Sequence, residues 1–485
     1  METKNNGITR RDLMKTAVVA GSALVGGGVL TGLAGCGTSS TPAASSSGKV
    51  SAPTGTGTVA IECDAGQNEA PFQWFSSALK TKYGAEVNMI GLPFVGQYQR
   101  LVTELVARSA VYDLMVFPPQ FMGDFVAKGF LEPLDQYTSL VNPNLPDVMP
   151  AYRDPNLMRN GKLYALPYDG DILMLTYRQD LFSDPTEQAN FQKKYGRPLA
   201  VPTTWDEFIQ VAQFFTRPPH LYGAGIYGQR GFCYAWFVNI MAAYGGKWFD
   251  SSMNATVNSP AGVTALTKLL EIANYCPPGV LQTGYPQLNQ IFLDGSTAMV
   301  IQWDDLPLKV DNPAMSQVVG KGSFAPCPVR NYMPYSRVMA VSAFSNNKAR
   351  AYEVAAYMTL EGYKYVYDPN CGEDPYRTSQ LHASLVKTHT GQPSMPAAQA
   401  SEYVNAIKGC IATGYPELSI PGAPQYLDLL DLFVNQALAG TLSPKAALDS
   451  AASEWDSLTQ SLGVSSQTAA YQAWITSFRE AGIQY

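Results

Sequence analysis

A chain of 485 residues is long enough for two or three folded units, each with a buried core. It has 33 Lys and Arg against 39 Asp and Glu, a net charge of -6, which argues against a nucleic-acid partner because such proteins present a basic face. Only 15% of residues are charged and 46% are hydrophobic, so the body is globular; three histidines argue against a His-built metal site, and a single apolar run near the start excludes a multi-span membrane protein.

The chain opens with Thr9-Arg10-Arg11-Asp12-Leu13-Met14-Lys15. The paired Arg10 and Arg11, followed by an apolar residue and Lys, resemble the twin-arginine export signal. The run Ala17–Leu33 has 17 residues, five of them Gly, too short and too Gly-rich for a comfortable membrane span. Leu33-Ala34-Gly35-Cys36 then resembles a bacterial lipobox, which implies lipidation at Cys36. Residues 37–57 follow, and 19 of these 21 are Gly, Ser, Thr, Pro or Ala, which cannot bury enough apolar surface to fold. A signal at 1–36 and a disordered tether at 37–57 place the body outside the cytoplasm, lipid-anchored at the membrane surface. Six cysteines remain beyond Cys36, widely spaced and without a C-x-x-C. Buried thiols and one or two bridges are both open readings.

From Thr58 the pattern alternates. Val59–Cys63, Val87–Ile90 and Asp113–Phe117 read as strands, and Phe72–Tyr83 and Gln97–Arg108 as the helices between them. A βαβαβ order predicts a parallel sheet with right-handed crossovers. Thr204-Trp205-Asp206-Glu207 is a capping box ahead of an apolar stripe. Ser259-Pro260 and Ser443-Pro444 each set a capping Ser before Pro at the first helical position. Ala298–Trp303 and Val338–Val341 return to strand character, and beyond Lys348 helices dominate: Ala349–Leu360, Tyr426–Ala439 and Pro444–Leu462. The tail after Leu462 is helical with no assigned role. Alternation, helices, strands again and helices last describe two interleaved α/β lobes.

Five segments in order resemble the family 1 extracellular solute-binding proteins that feed ABC importers, the group of maltodextrin and other sugar binders. They are Tyr112–Phe117 with Phe125–Leu134, Gly161–Asp171 with Tyr177–Phe182, Pro202–Phe208, Phe292–Met299, and Lys445–Trp455. The resemblance implies a periplasmic-binding-protein fold of the type II kind, with discontinuous lobes joined by hinge strands. Lobe one is expected at 58–168 and 328–375, and lobe two at 169–327 and 376–485. It implies a monomeric receptor that closes on a mono- or oligosaccharide and delivers it to the transmembrane subunits of an ABC permease. No cofactor, metal or catalytic residue is expected.

Sugars offer C–H faces for aromatic stacking and hydroxyls for charge-assisted bonds. Gln67 and Asn68, after the first strand, are hydroxyl ligands or a polar loop. Phe117 is a cleft wall or core. Asp169, at the lobe crossing, accepts ligand hydroxyls or caps a hinge turn, with Gly170 supplying a bend. Tyr234 and Trp236 open a helix, and their i, i+2 spacing sends at least one into the core. Trp303, then Asp304, at a strand end, are the foremost candidates, since the resemblance puts sugar-stacking aromatics there. Arg377 forks onto vicinal hydroxyls or bridges the lobes. Tyr335 is a weaker candidate. Two rivals remain: an exported carbohydrate-active enzyme, and a surface adhesion or sensory lipoprotein on the same fold. Adjacent carboxylates such as Asp304 and Asp305 diverge, whereas a glycosidase pair must converge at ~5–9 Å.

Overall fold

The computed structural model describes residues 50–485. Arg10, Arg11 and Cys36 lie outside the described residues. Residues 50–56 carry no helix or strand, and Arg350 donates to the carbonyls of Thr54 and Gly55 at 3.2 and 2.9 Å.

Two sheets organise the molecule. The first runs Ala85–Leu92, Gly57–Asp64, Leu114–Phe117, Val338–Val341 and Leu166–Pro167. Its first three strands are parallel, as a βαβαβ order requires, and the Val338–Val341 strand is antiparallel to both its neighbours. The second sheet runs Gly322–Ala325, Leu173–Arg178, Thr297–Trp303 and Tyr222–Gly225. Each sheet is the centre of one lobe, and neither lobe is continuous in sequence.

Local signals explain the helices. Gln97–Val106 buries Tyr98, Leu101 and Leu105 along one stripe and leaves Val106 outside. The expected single helix at Phe72–Tyr83 is two, Ala70–Trp74 and Ser76–Tyr83. They break at Phe75, whose ring meets Tyr357 and Tyr365. Helix Trp205–Phe215 starts on the expected box: Thr204 Oγ1 accepts the Glu207 N–H at 3.2 Å, and Glu207 accepts the Thr204 N–H at 3.3 Å. Replacing Thr204 by Ala is expected to lower stability by about 1 kcal/mol, read by urea denaturation. Ser443 caps its helix through the Ala446 N–H, whereas the Ser259 side chain makes no such bond. The tail forms the helix Val464–Glu480, which buries Tyr471, Trp474, Ile475 and Phe478. All six described cysteines are free and buried. Among the described residues no helix is long and apolar enough to cross a membrane.

Three segments pass between the lobes, at residues 168–172, 326–337 and 362–396. They are bonded to one another. The N–H groups of Tyr168 and Asp169 donate to the Arg337 carbonyl at 3.0 and 3.2 Å, joining the first crossing to the second. The Gly170 N–H donates to the Asp374 carbonyl at 3.1 Å, joining the first to the third. Gly170 is required for proximity rather than for a bend, because a Cβ there would stand 2.1 Å from the Pro375 oxygen.

Candidate functional site

The crossings floor a cavity of about 410 Å3 between the lobes. Each crossing supplies residues to it: Asp169 and Asp171 from the first, Tyr335 and Arg337 from the second, Gly372 from the third. The first lobe adds Asp64, Gln67, Asn68 and Phe94, and the second adds Phe232, Tyr285, Trp303 and Asp305. Asp64 ends the first strand and Trp303 ends its own, so strand ends deliver both lobes' contributions.

Five rings, Phe94, Phe232, Tyr285, Trp303 and Tyr335, form the apolar wall, with Tyr227 packed behind Trp303. The Trp303 ring lies 5.2 Å from Tyr227, 5.5 Å from Tyr285 and 5.7 Å from Tyr335, and Phe94 sits 5.5 Å from Phe232 and 5.0 Å from Tyr335. Tyr335 holds a left-handed backbone at φ 65°, which a bulky residue keeps only under external constraint. The constraint is visible: its N–H donates to Glu417 at 3.0 Å, and its hydroxyl donates to the Gly231 carbonyl at 2.6 Å.

Polar groups complete the lining. The Arg337 Nε donates to Asp64 at 3.0 Å, and its Nη1 stands 3.6 Å from Asp171. Asp169 accepts the Asp374 N–H at 2.7 Å. Burial pushes its carboxyl up to about 7, and burial with the neighbouring Asp169 charge raises Asp171 well above the carboxylate range. Across the cleft, Gln67 donates to the Tyr285 hydroxyl at 2.9 Å, Tyr285 donates to Asp305, and Lys309 pairs with Asp305.

The sequence-derived candidates separate into two groups. Trp303, Asp169, Gln67, Asn68 and Tyr335 are brought together at the cavity. Asp304 is not: it is wholly buried, and its Oδ1 accepts the Ile172 N–H at 3.0 Å. Trp303 and Asp305 line the cavity and Asp304 does not, because the strand ends at Trp303 and in the turn that follows Asp304 is held by the Ile172 N–H while Asp305, with helical backbone angles, opens the helix Leu306–Val310. Arg377 also stays outside, spending its guanidinium on the carbonyls of Thr359, Asn144 and Pro143 at 2.9, 2.9 and 2.7 Å. Phe117 is core, stacked on Phe121 and edge-on to Phe125, and Trp236 is core against Trp205 and Phe208. Tyr234 lines a neighbouring cavity of about 140 Å3, with its hydroxyl donated to Glu417 at 2.7 Å.

Asp64, Phe94, Phe232, Tyr285 and Arg337 were not among the sequence-derived candidates. Asp64 and Arg337 had a usable signal, since each adjoins a strand end in the first sheet. Tyr285, at the start of the helix Tyr285–Leu293, had none.

Glu417 supports the wall from behind and is pushed up to about 7, chiefly by burial. A raised acid stabilises the fold fully below its unfolded value near 4.5, and that contribution is lost as pH rises through 7. Between pH 4.5 and 8 this group is expected to remove about 3 kcal/mol of stability. Glu417→Gln is expected to flatten that part of the stability-against-pH curve, measured by urea denaturation across the range.

The family model for bacterial extracellular solute-binding proteins matches residues 66–365. A mannitol-binding protein of Pseudomonas aeruginosa is 26% identical over 275 residues, 55% of this chain and 60% of that protein. A probable amino-acid ABC transporter periplasmic-binding protein of Sinorhizobium fredii is 25% identical over 294 residues, 57% of this chain and 62% of that one. The chain thus spans about three fifths of the length of these two relatives. Among solved structures, an ABC transporter solute-binding protein of Agrobacterium vitis with bound D-mannitol superposes with a TM-score of 0.70 at 22% identity, covering 84% of this chain and 99% of that one. That likeness establishes the two-lobed fold.

Proposed function

Because the chain belongs to the bacterial extracellular solute-binding protein family, we propose that it is the substrate receptor of an ABC importer and that its ligand is a sugar or sugar alcohol. The observation that carries the reading is the cavity itself, which is lined by five aromatic rings together with Asp64, Asp169, Asp171, Asp305 and Arg337. Rings receive the C–H faces of a polyol, and charged groups fix its hydroxyls. The mannitol and D-mannitol named for two similar proteins support the same class. The volume falls within the range of small-molecule sites, not of a polymer groove.

The two lobes, placed at 58–168 with 328–375 and 169–327 with 376–485, close about the three crossings, and the closed monomer docks on the permease. The strands of the two larger sheets fall on either side of those bounds, while Asn331–Met333, inside the second crossing, pairs with Gly414–Pro416 of the other lobe. Cys36 carries the lipid that keeps the body near its permease; Cys36→Ala is expected to release the exported protein from the membrane fraction. The receptor alters no covalent bond, so incubation with a sugar panel is expected to yield no product.

A thermal-shift panel of sugar alcohols, monosaccharides, maltodextrins and amino acids tests the ligand class. A ligand at 100 times its Kd is expected to add about 2.7 kcal/mol of stability. A shift from amino acids alone would overturn the sugar reading.

A further inference from the structure

Beneath the cavity six carboxyl groups crowd together: Asp64, Asp169, Asp171, Asp304, Glu373 and Asp374. Each is at most 6% exposed. One cation, Arg337, stands among them, and it is committed to Asp64, leaving Asp171 at 3.6 Å. Lys309 is held by Asp305. Both oxygens of Asp374 lack any hydrogen-bond donor although the residue is wholly buried, and so does the wholly buried Asp304 Oδ2. A buried carboxylate without donors or a counter-charge is strongly unfavourable when ionised.

Three of these groups converge. One oxygen each from Asp169, Asp171 and Asp374 lies within 4.8 Å of the others, a spread that a single cation with bonds of about 2.3–2.6 Å can span. The donors are all oxygen, which selects a hard cation, and the irregular set suits calcium better than magnesium, which demands a near-ideal octahedron and dehydrates reluctantly. We propose that Asp169, Asp171 and Asp374 form a divalent-cation site suited to calcium, which joins the first crossing to the third. Asp169 and Asp171 also line the cavity, so the ion enters from there. This goes beyond the sugar-receptor reading and departs from the sequence analysis, which expects no metal.

The test uses the purified chain, stripped with EDTA and free of sugar, so its failure leaves the sugar reading untouched. Terbium is titrated in with excitation of tyrosine, since the Tyr152 hydroxyl lies 3.4 Å from the Asp171 carbonyl oxygen. The expected result is sensitised emission saturating at one ion per chain and displaced by calcium, with melting raised several degrees by millimolar calcium. Asp374→Asn removes the donor-less charge, so it is expected to fold and to lose at least tenfold in terbium affinity. Absence of any saturable terbium signal or calcium-dependent melting in the wild-type chain overturns the site. So does an Asp374→Asn chain that binds as before, or a stability that responds to acid and ignores calcium, since protons would then neutralise the cluster unaided.

Discussion

Trp303→Ala is expected to weaken sugar binding by about 30- to 100-fold, the loss of about 2–3 kcal/mol that marks an anchoring aromatic. Trp303 ends the central strand of the second lobe and touches rings from three other segments, Tyr227, Tyr285 and Tyr335. It is only 5% exposed, and its Nε1 donates to the Pro334 carbonyl at 3.3 Å. Truncation therefore also removes packing, so the alanine variant is expected to melt lower in the absence of ligand. Trp303→Phe separates the two effects. It keeps a ring against Tyr285, so it is expected to recover most of the affinity while still losing the Pro334 bond. Calorimetric titration with whichever sugar alcohol or sugar shifts the melting point reads both variants. Unchanged affinity in the alanine variant would remove Trp303 from the site.

Arg337→Met is expected to cost the fold about 3–5 kcal/mol, because breaking a buried ion pair leaves its partner charged and alone. Arg337 is 7% exposed and Asp64 6%. The guanidinium donates twice to Asp64, bonds the Tyr335 carbonyl and lies 5.3 Å from the centre of the Phe94 ring. It thus fastens the second crossing to the end of the first strand. Adding Asp64→Asn removes the stranded charge, so the double variant is expected to lose less than the sum of the single losses. Urea denaturation of the four proteins, in EDTA so that no ion substitutes for the guanidinium, closes the cycle. Strict additivity would show that the two groups do not act as a pair.

The particular elements show why some features were legible in advance. Strands Leu114–Phe117 and Val338–Val341, the helix that starts on Thr204 and the helix Pro444–Leu462 follow from near-neighbour patterns: apolar runs, a capping box, and Ser before Pro. Trp303 and Asp169 were reachable because each sits at a strand end or a crossing that the family resemblance marks. Asp304 illustrates the limit of proximity in sequence. Choosing it over Asp305 counted nearness to Trp303, but the strand ends at Trp303 and the turn after it gives Asp304 to the Ile172 N–H and Asp305 to the cavity. Arg377 illustrates a second limit, since a guanidinium beside a predicted cleft satisfies five N–H groups wherever carbonyls converge, and here they converge on residues 143, 144 and 359.

The sequence by itself determined the alternating βαβαβ start, the helix caps at Thr204 and Ser443 and the aromatic wealth, because each is written in residues a few positions apart. Only the tertiary structure decided that Arg337 meets Asp64 across 273 residues, that Gln67 meets Tyr285 across 218, and that Asp374 comes to rest beside Asp169. Those meetings depend on how three crossings bring discontinuous lobes together, and no local periodicity encodes the distance between segments that are joined only by the fold.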